Sequence, residues 1–123
     1  MAERYTQAWC SLKPEAVASF FAEDGQIIIN NGDPSVGRAT ITEMASGFYA
    51  EFPDLVVHMD DVRLSADNHA IYVWTLEGKH SETGNYVKAG GWEEWDLTDD
   101  LQIKLSLGRF DPVDYDRQVA GES

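Results

Sequence analysis

Two neighbouring glutamates, Glu93 and Glu94, are the residues that first invite acid/base chemistry. Paired carboxylates share such work only when both reach one substrate. These two lie in the run Tyr86 to Asp96, whose alternation is that of a strand, where neighbours point to opposite faces. At most one of them enters a pocket on a given side, and either alone also reads as an outward charge. Alternation groups Glu93 with Gly91 and Trp95, and Glu94 with Trp92. Two further groups could exchange protons. His58 shares a strand face with Val56 and Asp60, an acid/base pairing that equally suits the outer surface of a sheet. Asp111 closes the last strand in Gly108-Arg109-Phe110-Asp111-Pro112. Near an apolar cavity mouth its pKa would rise by desolvation, whereas an Asp-Pro turn needs the same residue for backbone reasons.

Aromatic residues are the more informative class. Tyr5 and Trp9 stand near the start of the chain, Phe48 in a later helical run, and Tyr72, Trp74, Trp95 and Phe110 in strand runs. Brought together, they would wall a concave apolar cavity with a few polar tips; singly, each is ordinary core. Other chemistries lack their residues. The histidines His58, His69 and His80 have no ligand spacing and Cys10 is the one thiol, so no metal is expected, and Cys10 reads as a small core residue. No glycine-rich loop follows a strand, no elbow motif surrounds a serine, and no cofactor is expected.

The elements that must position these groups follow from periodicity. Ala2 to Ser11 carries Tyr5, Ala8, Trp9 and then Leu12 at helical spacing. Pro14 fits the first turn of a second helix in which Val17, Phe20 and Phe21 repeat until Asp24-Gly25. Ile27-Ile28-Ile29 predicts a short strand over Gln26–Asn30 before the turn residues Asn31-Gly32 and Asp33-Pro34. Thr40 with Glu43 reads as a capping box, and Ile41, Met44, Ala45, Phe48 and Phe52 form one face of a third helix up to Pro53. From there the period is two. Leu55–Leu64, Ala70–Glu77, Tyr86–Asp96 and Leu101–Phe110 are strand runs, and the polar tail from Asp111 to Ser123 is expected to be loosely held. Helices first and a curved antiparallel sheet after make an α+β class, with the helices on one sheet face.

Composition bounds the partners. The 123 residues include 9 Lys+Arg against 22 Asp+Glu, a formal charge of −13. No basic cluster is available to neutralise phosphates, so nucleic acid is excluded as a partner and an anionic membrane is disfavoured. A hydrophobic fraction of 43% with 11% aromatics is that of a folded chain, and the length suits a single domain over residues 1–123. The opening Met1-Ala2-Glu3-Arg4-Tyr5 lacks the basic start and apolar block of a secretory signal, so a soluble cytoplasmic protein is expected.

Several stretches, in this order and spacing, carry a resemblance over nearly the whole chain: Tyr5-Thr6-Gln7-Ala8-Trp9, Val17 to Gly25, Gly37-Arg38-Ala39-Thr40-Ile41, Phe52-Pro53-Asp54-Leu55, Trp74 to Gly78 and Gly108-Arg109-Phe110-Asp111. The chain resembles the NTF2-like superfamily and, within it, the SnoaL-like group. The resemblance implies a cone-shaped barrel, a curved, mostly antiparallel sheet wrapped round a long helix with two N-terminal helices at its mouth, and a homodimer formed through the sheet.

That fold hosts isomerases, cyclases, hydrolases and binding modules, so residues must decide. Tyr5 keeps the spacing of the oxyanion-binding tyrosine of ketosteroid isomerase. The base of that enzyme would fall near Ile29 or Asn30 and its hydrogen-bonding acid near Gly91, and none of these is a carboxylic acid. Epoxide hydrolysis would need an Asp-Arg-Asp set that the arginines do not supply. SnoaL-type cyclases use a late aspartate, and Asp111 lies in the comparable segment. The resemblance thus implies a small apolar or weakly polar ligand and proton transfer beside a carbonyl, with Asp111 as acid/base and Tyr5 and Asn30 as donors to the oxygen. Trp9, Phe48, Tyr72, Trp74, Glu93, Trp95 and Phe110 would bind the substrate. The alternative is a non-catalytic ligand-binding or dimerisation module.

Overall fold

The computed structural model describes residues 1–65 and 67–121. Helix α1 (Ala2–Cys10) turns Tyr5, Ala8 and Trp9 inward, the three- and four-residue spacing that one helical face allows. Pro14 opens α2 as expected, but α2 (Pro14–Ala18) stops well short of Asp24. Phe21 leaves the helix because its backbone is taken by a strand: it stands beside Ile103, whose N–H donates to the Phe20 carbonyl at 2.8 Å. Tertiary pairing overrides a local helical period that two phenylalanines happened to continue. Strand β1 (Phe21–Ile29) is therefore longer than the expected Gln26–Asn30, and it ends where Asn30 and Asn31 adopt φ of 52° and 60°.

After the two-residue strand β2 (Ser35–Val36), Gly37 takes a φ of 85° and serves as the N-cap of α3 (Arg38–Glu51). The helix begins before Thr40, so the Thr40/Glu43 capping box does not form; no side chain caps this end. Arg38 Nε instead donates to the Phe21 carbonyl at 2.9 Å and ties the first turn to β1. Pro53 follows its end, and β3 (Val56–Ser65), β4 (His69–Lys79), β5 (Tyr86–Leu97) and β6 (Ile103–Phe110) run as an antiparallel meander.

The six strands stand in the order β2-β1-β6-β5-β4-β3, with β1 and β6 parallel and every other pair antiparallel. The sheet curves without closing, so β2 and β3 remain edges and the expected barrel is an open cone. Its concave side carries the core, with Tyr72, Trp95 and Val87 nearly or fully buried against Tyr5, Val17 and Ile41 from the helices. On the convex side Ile71 and Trp92 stay 43% and 42% exposed.

The chain after β6 is not loose. Pro112–Ala120 forms α4, started by Asp111 as N-cap with proline in its first turn and ended by Gly121 at a φ of 83°. Tyr115 packs on Phe52 and Phe110, and the Gln118 side chain brackets Lys88 by accepting from its N–H and donating to its carbonyl. Positions 122 and 123 of the expected tail lie outside the described residues. Among the described residues no helix is long and apolar enough to cross a membrane.

Candidate functional site

Three rungs of the concave face make a floor. Ile27, Ser106, Trp95 and Ala70 stand side by side on β1, β6, β5 and β4; the next rung carries Ile29, Gly108, Glu93 and Tyr72. The third carries Phe110, Gly91, Trp74 and Met59. Residues two apart on a strand share a face, which is why Glu93 and Trp95, or Tyr72 and Trp74, look the same way. Trp9 from α1 and Met44 and Phe48 from α3 close over this floor. Met44 and Phe48 belong to the helix face that buries Ile41, Ala45 and Phe52, and they stay half-buried where that face looks into the hollow.

The hollow has about 550 Å³ of empty space with its open mouth counted, but only about 60 Å³ is wide enough for a water-sized molecule. An apolar cavity of roughly 150 Å³ holds benzene. A ring-sized ligand therefore requires Phe48 and the flexible Met44 to give way. Gly108 keeps the floor low: a Cβ there would stand 3.6 Å from Ile29 Cγ1 and 4.0 Å from Glu93 Cγ, in space that is now free.

Glu93 is the ionisable acid of this apolar wall, and it is 6% exposed. Three donors hold its carboxylate. Ser106 Oγ donates to Oε1 at 2.7 Å, Trp95 Nε1 at 3.0 Å and the Tyr5 hydroxyl at 3.1 Å. Among the described residues Oε2 receives only the shared Tyr5 hydroxyl, at 3.3 Å, and so keeps acceptor capacity. Rings enclose the group: Tyr72 and Trp95 stack at 4.9 Å, and Tyr5 meets them edge-on at 5.4 and 5.2 Å. Burial pushes the Glu93 carboxyl above the ordinary glutamate range, and the bonds from Trp95, Ser106 and Tyr5 pull it only partly back. Burial, with the Glu93 charge adding to it, also holds Tyr5 far above its usual value, so its hydroxyl remains a donor.

The remaining sequence candidates fall in different places. Trp9, Phe48, Tyr72, Trp74 and Phe110 line the hollow with Glu93, while Tyr5 and Trp95 stand behind the carboxylate and hold it. Asn30 does not offer a donor to the hollow: its Oδ1 accepts from the Phe110 N–H at 3.0 Å, clamping the end of β1 to β6. Asp111 is exposed at the start of α4, where its Oδ1 accepts from the N–H groups of Val113 and Asp114 at 3.0 and 3.2 Å. This carboxylate caps α4. His58 pairs at 3.1 Å with Glu77 on the exposed side, and Asp60 accepts from the hydroxyl of Thr75, the residue opposite His58 in register. Glu94 is exposed beside Ile71 and Leu107 on the convex face. Cys10 is exposed too, with its thiol donating to the Val57 carbonyl at 3.2 Å, so it is not core.

Sequence reasoning missed Ser106, Gly108, Ile29 and Met44. Counting back in twos from Phe110 reaches Gly108 and Ser106, a signal that the β6 pattern contained. Among the described residues no group of three or more His, Cys, Asp or Glu is placed to hold a metal ion.

Solved structures share this architecture. A hypothetical protein with a ketosteroid isomerase-like fold from Catenulispora acidiphila, in complex with trimethylamine, matches with a TM-score of 0.87 at 16% identity, covering 98% of this chain and 92% of that one. A protein assigned as a SnoaL-like polyketide cyclase from Jannaschia sp. matches at 0.85 with 13% identity, covering 98% and 90%. SalBIII, an epoxide hydrolase/cyclase-like enzyme of pyran ring formation in the polyether salinomycin, matches at 0.80 with 16% identity, covering 91% and 88%. At such identities the likeness is one of fold. No curated protein matches the sequence. The model of the SnoaL-like domain matches residues 2–105, and this chain belongs to the SnoaL-like family.

Proposed function

We propose that this single-domain protein binds a compact, apolar carbonyl compound and moves a proton at the carbon beside the carbonyl, with Glu93 as the acid/base. The observation that carries the reading is a single carboxyl group set, among the described residues, into a mostly apolar wall, its basicity raised by burial. Desolvation makes a carboxylate a stronger base toward a weak carbon acid, and Tyr5, Trp95 and Ser106 fix its orientation. Oε2, with acceptor capacity left, is the oxygen that takes the proton. Cyclase and cyclase-like enzymes among the structural relatives support the class of chemistry. The experiment is hydrogen exchange at the α-carbons of cyclohexanone in D2O, followed by 1H NMR. Acceleration by the protein that Glu93→Gln abolishes is expected; equal rates with and without protein reject the reading.

A second reading is a non-catalytic ligand-binding module. It draws support from the donors already on the Glu93 carboxylate and from the lack of a carboxylic acid at Ile29, Asn30 and Gly91. Binding without exchange selects it. Either way the protein works in the cytoplasm as a homodimer through the convex face, where Ile71 and Trp92 lie uncovered. A monomer in analytical ultracentrifugation at micromolar concentration rejects that assembly.

A further inference from the structure

One buried polar group, on a residue that lines the hollow, has no task in the proton transfer. Among the described residues, Trp74 Nε1 is a buried side-chain nitrogen without a hydrogen-bond partner. A buried donor left dry is penalised, and native folds keep few of them. The Trp74 side chain lines the pocket one rung along the sheet from Glu93, and its nitrogen is itself covered, so that pairing it with a ligand needs a small shift of the indole. Its place is built by the strand opposite. Trp74 faces Gly91 in register, and a Cβ at Gly91 would lie 2.7 Å from the indole Cζ2 and 2.9 Å from Cη2, so the ring fills the room of the missing side chain. Phe110 flanks it at 6.4 Å. An unpartnered N–H and a carboxylate thus share one concave face, with small residues at Gly91 and Gly108 between the bulky ones.

We infer that the Trp74 Nε1–H is the donor that holds the ligand's carbonyl oxygen, so that the pocket selects compact neutral molecules bearing one acceptor over hydrocarbons of the same shape. This rests on the Glu93 reading only for what happens to the ligand afterwards; the recognition itself needs no proton transfer. An apolar pocket alone discriminates poorly between isosteres, whereas a buried donor that must be paired discriminates strongly. A carboxylate ligand is disfavoured, because the Glu93 carboxyl already lies within the same wall.

The test uses two molecules of matched shape, cyclohexanone and methylenecyclohexane, added to 15N-labelled protein. The indole resonance of Trp74 is identified by its loss in Trp74→Phe. With the ketone, that N–H is expected to move downfield and its exchange with water to slow; with the hydrocarbon it is expected to stay. The preference for the ketone over the hydrocarbon should fall about tenfold in Trp74→Phe, whatever the smaller ring does to both affinities. Equal affinity for the two molecules, an unmoved Trp74 resonance at ketone saturation, or no binding of the ketone overturns the inference. The indole shift is read in the native chain, so the test survives a Trp74→Phe variant that fails to fold. The Glu93 reading fails separately: ketone binding at Trp74 without α-hydrogen exchange leaves the inference standing and removes the chemistry. Exchange that ignores Trp74 does the reverse.

Discussion

The Tyr5 hydroxyl donates to the Glu93 carboxylate at 3.1 Å, joining two residues 88 positions apart. α1 is thereby fastened to the middle of β5 through a buried charge, and Ser106 and Trp95 add donors from β6 and from β5 itself. Each donor stabilises the ionised form against burial. Tyr5→Phe and Ser106→Ala should therefore both raise the Glu93 pKa further. Ser106→Ala should raise it more, since that bond is the shorter at 2.7 Å. Each variant should lose about 1–3 kcal/mol of stability. Carboxyl 13C shifts followed against pH, with urea melts beside them, check this; a fall in the Glu93 pKa in either variant contradicts the assignment.

Glu93 also sets a pH dependence whose sign is fixed by its raised pKa. In the window between the ordinary glutamate value and the raised one, the folded chain holds a proton that the unfolded chain has released. The stabilising contribution is complete below the unfolded value and is lost as pH rises through the folded value. Glu93→Gln keeps the shape and an acceptor for the three donors while removing the titration. Its stability relative to the native chain should rise as pH climbs through that window and then level off. Chemical denaturation of both proteins at several pH values measures the difference, in which the repulsion among the other acidic groups cancels. A constant difference across pH rules out a raised Glu93 pKa.

How far the sequence spoke depended on the range of the interaction. The two-residue period of β4 and β5 put Glu93, Trp95, Tyr72 and Trp74 on definite faces, and α3 was readable from Ile41, Ala45 and Phe52 because one helix face needs no partner to define it. What was not legible was non-local. The parallel pairing of Phe21 with Ile103 cut α2 short, and a bulge between Met59 and Asp61 shifts the register of β3 on β4. Neither leaves a mark in local spacing. The last helix shows the opposite case: Asp followed by Pro is a helix start by local rules alone, and weighing the pair as a turn before a loose tail hid α4.

Asp111 supplies a direct contrast with Glu93. As an N-cap that accepts from Val113 and Asp114, it should be replaceable by asparagine with little effect, while Asp111→Ala costs about 1 kcal/mol through fraying of α4. Because Tyr115 and Gln118 dock that helix on Phe52 and Lys88, the loss should appear as faster amide exchange over residues 113–120. Neither variant should alter α-hydrogen exchange of the ketone. If Asp111→Asn abolishes that exchange with α4 intact, the proton is carried by Asp111 and not by Glu93.

Two glycines on the floor separate space from structure. At Gly108 an added methyl meets Ile29 Cγ1 at 3.6 Å and Glu93 Cγ at 4.0 Å, ordinary contacts that leave the fold in place. At Gly91 it meets the Arg109 carbonyl at 2.2 Å and the Trp74 ring at 2.7 Å, which no small shift relieves because the first obstacle is backbone. Gly108→Ala should thus melt within a few degrees of the native chain and yet weaken ketone binding severalfold, since the methyl occupies the hollow beside Glu93. Gly91→Ala should lose toward or past the upper end of ~1–3 kcal/mol and disturb Trp74. Calorimetry and ketone titration of the two variants make the comparison. Should Gly108→Ala bind the ketone as the native chain does, the ligand does not lie on this floor, and both Glu93 and Trp74 lose their assigned roles together.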